Sequence, residues 1–294
     1  MQQKNTILPW FLIAVLSLIW GTSFILIKRG LSVYSPAEVG ALRLVSAGMF
    51  LLPVAIMRAK TLRKVFWKKL FLVGLMGSFI PAFLFAYGQT GVISSMAGML
   101  NSLTPFVVMT IGALFFKQKI RILTGVGLLM GLSGTIILLL SGTAGHFGSL
   151  NFYALFIVLA VFCYSINLNF VKFYLAEVPA ITITSVSLSL VFPPALVYLI
   201  GFSPFLSVLT THPEGYLVAG HVVLLGVLGT ALALILFNKL VQMTTPLFTS
   251  LVTYFIPMVA VLWGIFDDET LLFSHFAGLL VIIAGVYVVN HSNR

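Results

Sequence analysis

Long stretches without a charged side chain constrain this chain more than any other feature. Asp, Glu, Lys and Arg are all absent from residues 5–27, 70–116, 122–171, 178–213, 215–238 and 240–266. A helix needs roughly 20 apolar residues to cross a bilayer, so each of the two longest stretches has room for two such helices and a turn. Only 7% of the residues are charged, against about a quarter in soluble globular proteins. The sequence therefore predicts an all-α integral membrane protein.

Ten transmembrane helices are predicted, and the basic residues decide their orientation. The predicted spans cover residues 8–28, 37–57, 70–88, 93–116, 122–141, 151–171, 180–201, 217–237, 245–266 and 271–290. Loops rich in Lys and Arg stay in the cytoplasm, and a cytoplasmic N-terminus places 13 of the 16 basic residues on that side. The net charge of +10 therefore reflects cytoplasmic loops and not a nucleic-acid partner. We expect a multi-pass protein of a bacterial inner (plasma) membrane, with both termini cytoplasmic.

An internal duplication divides the spans into two groups of five. Residues 74–78 (Gly-Leu-Met-Gly-Ser) return 152 positions later as residues 226–230 (Gly-Val-Leu-Gly-Thr), and Pro105 returns at the same offset as Pro257. An odd number of spans per copy turns the second copy upside down, an arrangement that many secondary transporters use for alternating access. The predicted repeats are residues 1–145 and 146–294.

A proline in each repeat indicates where a substrate could bind. Proline cannot donate a backbone hydrogen bond, so the carbonyl four residues earlier loses its partner. Pro105 frees the carbonyl of Asn101, and Pro257 frees that of Thr253. Within a bilayer, such groups are tolerated only against protein or a water-lined cavity. We expect both prolines to permit a hinge beside a shared cavity; the competing interpretation is that they only kink helices for packing.

Aromatic and polar side chains at matching positions complete the predicted cavity. Trp20 and Tyr164 occupy equivalent repeat positions well inside their spans, away from the interfacial belt where such residues normally collect. Packing or contact with lipid is the alternative role for an aromatic stripe, and the repeated glycines are expected to serve close helix packing. We expect the substrate to contact Trp20, Ser23, Phe85, Asn101, Thr104, Tyr164, Asn167, Phe237, Thr253 and Tyr254.

Charged and titratable side chains are scarce inside the predicted membrane region. Arg43 is the one clear intramembrane charge, and such residues default to a functional role, while an anchoring role near Glu38 fits equally well. His221 fits a packed, hydrogen-bonded histidine better than a proton carrier. No Asp or Glu falls in the middle of a span, which disfavours a proton-coupled drug antiporter. The predicted cavity is neutral and suits a small neutral or zwitterionic molecule with an apolar portion.

The chain resembles the EamA family of the drug/metabolite transporter superfamily, ten-span carriers built from two five-helix repeats. The resemblance rests on residues 20–24 (Trp-Gly-Thr-Ser-Phe), 36–43 (Pro-Ala-Glu-Val-Gly-Ala-Leu-Arg) and 101–105 (Asn-Ser-Leu-Thr-Pro), and on Gly-x6-Gly pairs at 127–134 and 278–285. The family usually carries a Glu nine residues before each pair. Glu269 fits this pattern in the second half, whereas Gln118 stands in the first. The departure weakens the idea that both copies need the carboxylate.

Together these features predict a secondary membrane transporter that exports a small metabolite by alternating access. An amino acid or related zwitterion is the expected substrate, as the family resemblance also implies. We expect movement down the substrate gradient, no cofactor or metal ion, and a monomer or homodimer in the lipid bilayer. Two alternatives remain open: a proton-coupled multidrug or metabolite antiporter that uses His221 or Glu38, and a membrane receptor or assembly factor built on a carrier fold.

An intramembrane protease is disfavoured. Residues 131–134 (Gly-Leu-Ser-Gly) fit the Gly-x-Ser-Gly pattern of such enzymes, with Ser133 as nucleophile and His221 as base. The matching residues 282–285 (Ile-Ile-Ala-Gly) keep the last glycine and lose the serine. Small residues at this spacing serve helix packing, and we expect no enzymatic activity.

Overall fold

The protein folds into a bundle of apolar helices. A computed structural model describes residues 7–116, 122–140 and 151–292, and every regular element in these ranges is helical. Eight helical segments are long and apolar enough to cross a membrane, and two shorter apolar stretches lie at Gly125–Leu138 and Phe273–Gly285. These findings confirm the prediction of a helical, multi-pass membrane protein.

Several predicted spans are interrupted, so fifteen α-helices occupy the described ranges. They are α1 (Ile7–Leu31), α2 (Pro36–Ala59), α3 (Trp67–Gly74), α4 (Ile80–Gly88), α5 (Ser94–Asn101), α6 (Thr104–Phe116), α7 (Ile122–Leu140), α8 (Phe152–Tyr174), α9 (Ala180–Gly201), α10 (Phe205–Thr211), α11 (Gly215–Leu224), α12 (Ala233–Met243), α13 (Pro246–Ser250), α14 (Val252–Phe266) and α15 (Phe273–Ser292). Residues 117–121 between the fourth and fifth predicted spans, with Gln118, and residues 142–150 between the fifth and sixth lie outside the described residues.

Helix α2 begins with a capping box that uses the carboxylate of Glu38. The Glu38 backbone N–H donates to Ser35 Oγ (3.3 Å), while Glu38 Oε2 accepts from the Ser35 backbone N–H (2.9 Å). Pro36 occupies the first turn, where its missing N–H costs nothing. This reciprocal pair satisfies two backbone donors at the helix start. The Glu38 carboxylate is therefore part of the cap at the start of α2.

Two π-helical turns interrupt the glycine-rich spans at corresponding places. Leu75–Phe79 joins α3 to α4, and Leu225–Leu232 joins α11 to α12. The glycines beside them allow close packing, as expected: a Cβ on Gly74 would lie 2.5 Å from the carbonyl oxygen of Ser187. The π-helical geometry was not predicted, and such turns occur frequently at functional sites.

Helix pairs that are distant in sequence build the bundle. Helix α1 packs on α14, α2 on α9, α4 on α8, and α7 on α15. The short helix α10 was not predicted; it covers one end, where the ring of Phe205 lies 5.3 Å from that of Tyr34. Large apolar side chains remain exposed on the outer surface, among them Phe11, Leu114 and Phe266. In a chain of this composition, such a surface fits contact with lipid.

Helix α8 connects the two ends of the bundle. Asn151 caps its start and donates from Nδ2 to the carbonyl oxygen of Gly91 (2.9 Å), close to the beginning of α5. Lys172 lies in the last turn of α8, and at 1.5 Å per residue this places it about 30 Å from Asn151. We call the end that contains Ser94 and the α14–α15 loop the Glu269 end, and the opposite one the Lys172 end.

Candidate functional site

A cavity lies inside the bundle, with walls from both π-helical turns and from α1, α2, α4, α5, α6, α8, α12, α13 and α14. It encloses about 810 Å³ of empty space, including the part open to its surroundings. Nine of the ten predicted contact residues line it: Trp20, Ser23, Phe85, Asn101, Thr104, Tyr164, Asn167, Phe237 and Thr253. Tyr254 is not among the lining residues, and its buried hydroxyl has no hydrogen-bond partner in the described part of the chain. The expected substrate contact of Tyr254 therefore finds no support.

The aromatic residues of the cavity pair crosswise between the two sequence repeats. The ring of Trp20 meets that of Phe237 edge to face, with centroids 5.0 Å apart. The ring of Phe85 stacks on Tyr164 at 5.8 Å. Residues 85 and 237 are 152 positions apart, the offset of the repeated glycine segments. Aromatic pairs of this geometry prefer fixed orientations, so they form two rigid faces of apolar wall.

Two helix breaks bring polar groups to the wall. The break between α5 and α6 is closed by Thr104, whose hydroxyl donates to the carbonyl oxygen of Asn101 (2.7 Å). The break between α13 and α14 has the same device, because the hydroxyl of Thr253 donates to the carbonyl oxygen of Ser250 (2.7 Å). Hydroxyls thus satisfy the carbonyls that the interrupted helices leave without partners.

The two prolines occupy different positions in their helices. Pro257 lies inside α14, as expected. Pro105 is the second residue of α6, where a proline is tolerated, so it lies in the first turn of a helix; the carbonyl of Asn101 accepts from the Thr104 hydroxyl and not from a backbone N–H. The chain breaks before Pro105, because Ser102 and Leu103 leave the helix. Neither proline lines the cavity, and the hinge role of both stays a prediction.

Both π-helical turns contribute residues to the wall that the sequence assigned only to packing. Trp20 Nε1 donates to the backbone carbonyl oxygen of Gly229 (2.9 Å) inside the second turn. Gly77 makes room for an amide, since a Cβ there would lie 2.7 Å from Nδ2 of Asn167. Ser78 and Thr230 also line the cavity. The signal for them was present in the sequence, because a hydroxyl recurs at this place in both copies.

Arg43 is the charged residue on the cavity wall. Its side chain is buried, with 7% of its surface exposed, and its Nε donates to Thr230 Oγ1 (2.7 Å). The expected anchoring near Glu38 does not take the form of an ion pair: none of the ion pairs among the described residues includes Arg43, and Glu38 Oε2 is bound to Ser35. The prediction of a neutral cavity is therefore wrong: a guanidinium faces it.

An amide with unused hydrogen-bonding capacity faces the same space. Asn167 is 5% exposed, and its Oδ1 has no partner in the described part of the chain. A buried polar atom without a partner costs free energy of about 1–3 kcal/mol. A ligand in the cavity would supply the missing hydrogen bond.

Glu269 lies away from the cavity and fastens one end of the bundle. Its Oε1 accepts from Lys28 Nζ (3.0 Å) and from Ser94 Oγ (2.6 Å), and its Oε2 accepts from Ser95 Oγ (2.6 Å). The backbone N–H groups of both serines donate to the same carboxylate. Burial alone would raise its pKa, but these donors outweigh burial and lower the pKa from 4.5 to about 2. Glu269 therefore stays ionised at neutral pH and stabilises this end of the bundle.

Ser133 and His221, which the sequence offered as a protease nucleophile and base, do not form a catalytic site. Ser133 is exposed, and its hydroxyl donates to the carbonyl oxygen of Leu129 (2.8 Å). His221 does not line the cavity, and its Nδ1 has no partner in the described ranges, so the expected hydrogen bond at that nitrogen is not seen. The structure does not bring Ser133 and His221 together as nucleophile and base.

Comparison with known proteins gives consistent results. The model of the EamA-like transporter family matches residues 8–140 and 151–291. A protein named uncharacterized transporter from Archaeoglobus fulgidus is 24% identical over 95% of this chain and 98% of its own length. The uncharacterized transporter YvbV of Bacillus subtilis is 24% identical over 96% of this chain and 92% of its own length. One solved crystal structure covers 96% of both chains with a TM-score of 0.65 and 19% identity, which shows a shared fold alone.

Proposed function

The chain belongs to the EamA-like transporter family and is a multi-pass membrane transporter, and we propose that it exports a small metabolite by alternating access. The two sequence repeats, residues 1–145 and 146–294, form inverted five-helix halves around the cavity. The substrate is an amino acid or related zwitterion that moves down its gradient. The protein lies in a bacterial inner membrane with both termini in the cytoplasm.

One observation carries the proposal: a single cavity collects the matching residues of both repeats. Trp20 faces Phe237 and Tyr164 faces Phe85, so each half completes the aromatic wall of the other. The π-helical turns begin 150 positions apart, and the threonines that close the helix breaks are 149 positions apart. That correspondence supports the pseudo-symmetry on which alternating access depends.

Within this mechanism, the substrate lies against Trp20 and Tyr164 and meets the polar groups of Asn101, Asn167 and Thr253. The break just before Pro105 and the proline inside α14, Pro257, act as hinges, because a helix bends at low cost where its hydrogen bonding is interrupted. The bundle closes on one side of the substrate while it opens on the other. The proton-coupled alternative gains nothing from the structure, since neither Glu38 nor His221 lines the cavity.

Two-sided access to the cavity tests the mechanism. In a Cys163→Ser background, Ser23→Cys and Asn101→Cys are reconstituted into proteoliposomes, and a membrane-impermeant maleimide is added outside, inside, or on both sides. We expect both cysteines to react from either side, and more slowly when substrate is present. Reaction from one side only, under every condition, would rule out alternating access.

Inversion of the halves is tested with cysteines at exposed ends. Lys60 and Thr270 are both exposed; Asp268 is less suitable, because its φ of 53° favours Asp, Asn or Gly. We expect Lys60→Cys to react only from the cytoplasmic side and Thr270→Cys only from the outside. Labelling of both from one side would remove the antiparallel arrangement of the halves.

A further inference from the structure

Arg43 has an environment that an arginine used only for packing does not need. The guanidinium donates a hydrogen bond from Nε to Thr230 Oγ1, and the hydroxyl of Tyr164 interacts with it as well. Arginine carries five N–H donors in a planar fork that matches a carboxylate. The two terminal nitrogens of this fork therefore keep donors for another partner.

The charge of Arg43 has no counterion in the described part of the chain. The ion pairs there are Lys28 with Asp267, Lys28 with Glu269, and Arg29 with Asp267. None of the described residues that line the cavity is acidic. An unpaired cation inside a bilayer is expensive, and a bound anion would offset that cost directly.

The repeat shows that the fold itself does not demand this arginine. Pro36 corresponds to Pro179 at an offset of 143, so Val186 stands where the second half would carry Arg43. Val186 is buried in its helix as an ordinary apolar residue. The positive charge is thus a one-sided addition to an otherwise symmetric wall.

Aromatic rings make up much of the rest of the wall. Tyr164 stacks on Phe85, Phe85 packs against Phe24, and Trp20 packs against Phe237. An anion held at Arg43 would place its remaining atoms against these rings. The cavity therefore suits one negative group on a compact apolar body, and it offers no carboxylate to pair with a substrate ammonium.

We propose that Arg43 binds the carboxylate of the substrate, and that the substrate class is small monocarboxylates with an apolar body, for which an amino group is dispensable. This inference rests on the proposed transport through the cavity and narrows its substrate. Amino acids are bound through their carboxylate and side chain. The ammonium of an amino acid adds only a hydrogen bond, for which Asn167 Oδ1 is the available acceptor.

Two matched ligand series test the requirement for a carboxylate. The full-length protein in detergent micelles is titrated with phenylalanine, 3-phenylpropanoate and 2-phenylethylamine, and with leucine, 4-methylpentanoate and 3-methylbutylamine. We expect the acid and the amino acid of at least one series to bind with Kd values within about 10-fold of each other, and the amine to bind about 100-fold more weakly. Binding of an amine as tightly as its acid, or no binding by any of the six compounds, would overturn the proposal.

Substitutions and a neutral ligand separate charge from folding. Arg43→Gln should weaken binding of the acids about 10- to 100-fold, and Arg43→Lys should fall between, since it keeps the charge and loses the fork. Arg58→Gln, at an exposed position outside the cavity, is the matched control and should bind as the wild type does. The amide 3-phenylpropanamide tests the charge on the unaltered protein, so the proposal stays testable if Arg43→Gln does not fold. Binding of the amide as tight as that of the acid would contradict it.

Inorganic anions provide the last arm. Sodium chloride and inorganic phosphate, each alone and at the concentration used for the acids, should raise the midpoint of thermal unfolding less than 3-phenylpropanoate does, because neither covers the aromatic wall. Equal stabilisation by either salt would contradict the proposal, because it would show that the site binds inorganic anions as well as it binds a carboxylate on an apolar body. Failure of the proposed transport would show separately, as one-sided labelling of Ser23→Cys while carboxylate binding persists.

Discussion

The two ends of the bundle place equivalent lysines in different chemical surroundings. Lys28 and Lys172 stand 144 positions apart in the sequence repeat. Lys28 Nζ lies 2.5 Å from Asp267 and 3.0 Å from Glu269. Lys172 Nζ donates to the carbonyl oxygen of Val241 (3.1 Å) and to that of Thr244, both near the end of α12. One end is therefore held by full charges and the other by the partial charges of a helix terminus.

Equivalent lysines of the sequence repeat therefore stabilise the two ends of the bundle by different interactions. Carboxylates at the Glu269 end tie α1, α5 and the α14–α15 loop together, and the serine donors saturate the Glu269 side chain. Carbonyls at the end of a helix carry about half an elementary charge in total, and they remain whether or not lysine is present. The Glu269 end should therefore respond more strongly to substitution and to pH.

The largest effect is expected at the buried carboxylate. Glu269→Ala leaves the donors of Ser94 and Ser95 unsatisfied and should lower the free energy of unfolding by about 3 kcal/mol. Denaturant unfolding of the purified protein in detergent measures it. Asp268→Asn, an exposed neighbour whose replacement also tolerates positive φ, is the control and should change stability by less than about 0.5 kcal/mol. Equal effects of the two variants would erase the contrast between the ends.

Acid should loosen the same end of the wild-type protein. The pKa of Glu269 is about 2 in the fold, below its ordinary 4.5. Its contribution to stability is therefore complete above pH 4.5 and is lost as the pH falls toward 2. Unfolding midpoints measured across this window should fall more steeply for the wild type than for Glu269→Gln. Parallel slopes would show that another group dominates.

The Lys172 end should show a smaller effect. Lys172→Met removes a cation from the carbonyls at the end of α12 and should cost about 1 kcal/mol. Lys239→Met, at an exposed position on α12 itself, is the matched control and should leave the free energy of unfolding unchanged. A loss at Lys172 as large as that at Glu269 would mean that helix-end carbonyls hold a lysine as firmly as carboxylates do.

The smallest effect is expected for the exposed ion pair. The Arg29 side chain is 56% exposed and contacts Asp267. Arg29→Gln should cost about 0.2–1 kcal/mol at low salt, and the difference should vanish in 1 M sodium chloride, where the Debye length is roughly 3 Å. A loss that survives high salt would assign Arg29 to the buried part of the network.

Much of the candidate site could be predicted because repeats and helical periodicity are properties of the chain alone. Nine of the ten expected contact residues line one cavity, since equivalent positions in duplicated helices tend to face the same way. Tyr254 does not line the cavity. It follows Thr253 by one residue, and one residue turns the side chain by about 100° around α14.

The helix break at residues 102–103 and the π-helical turns have a related cause. A helix break or a π-helical turn changes the direction in which all later side chains of the span point. No local pattern in residues 102–103 or 225–232 predicted these interruptions. The partner of Arg43 was also inaccessible to sequence reasoning. Glu38 is the acidic residue nearest along the chain, yet the capping box at the start of α2 holds it.

The sequence by itself determined the helical membrane class, the duplication, the family resemblance and most residues of the cavity, because apolar length and repeat offsets are encoded locally. Only the tertiary structure decided that Arg43 meets Thr230 without a counterion, and that Glu269 is enclosed by Ser94, Ser95 and Lys28. The physical reason is that the energy and the partners of a charge depend on the groups that surround it in space. Those groups come from helices far apart in the chain.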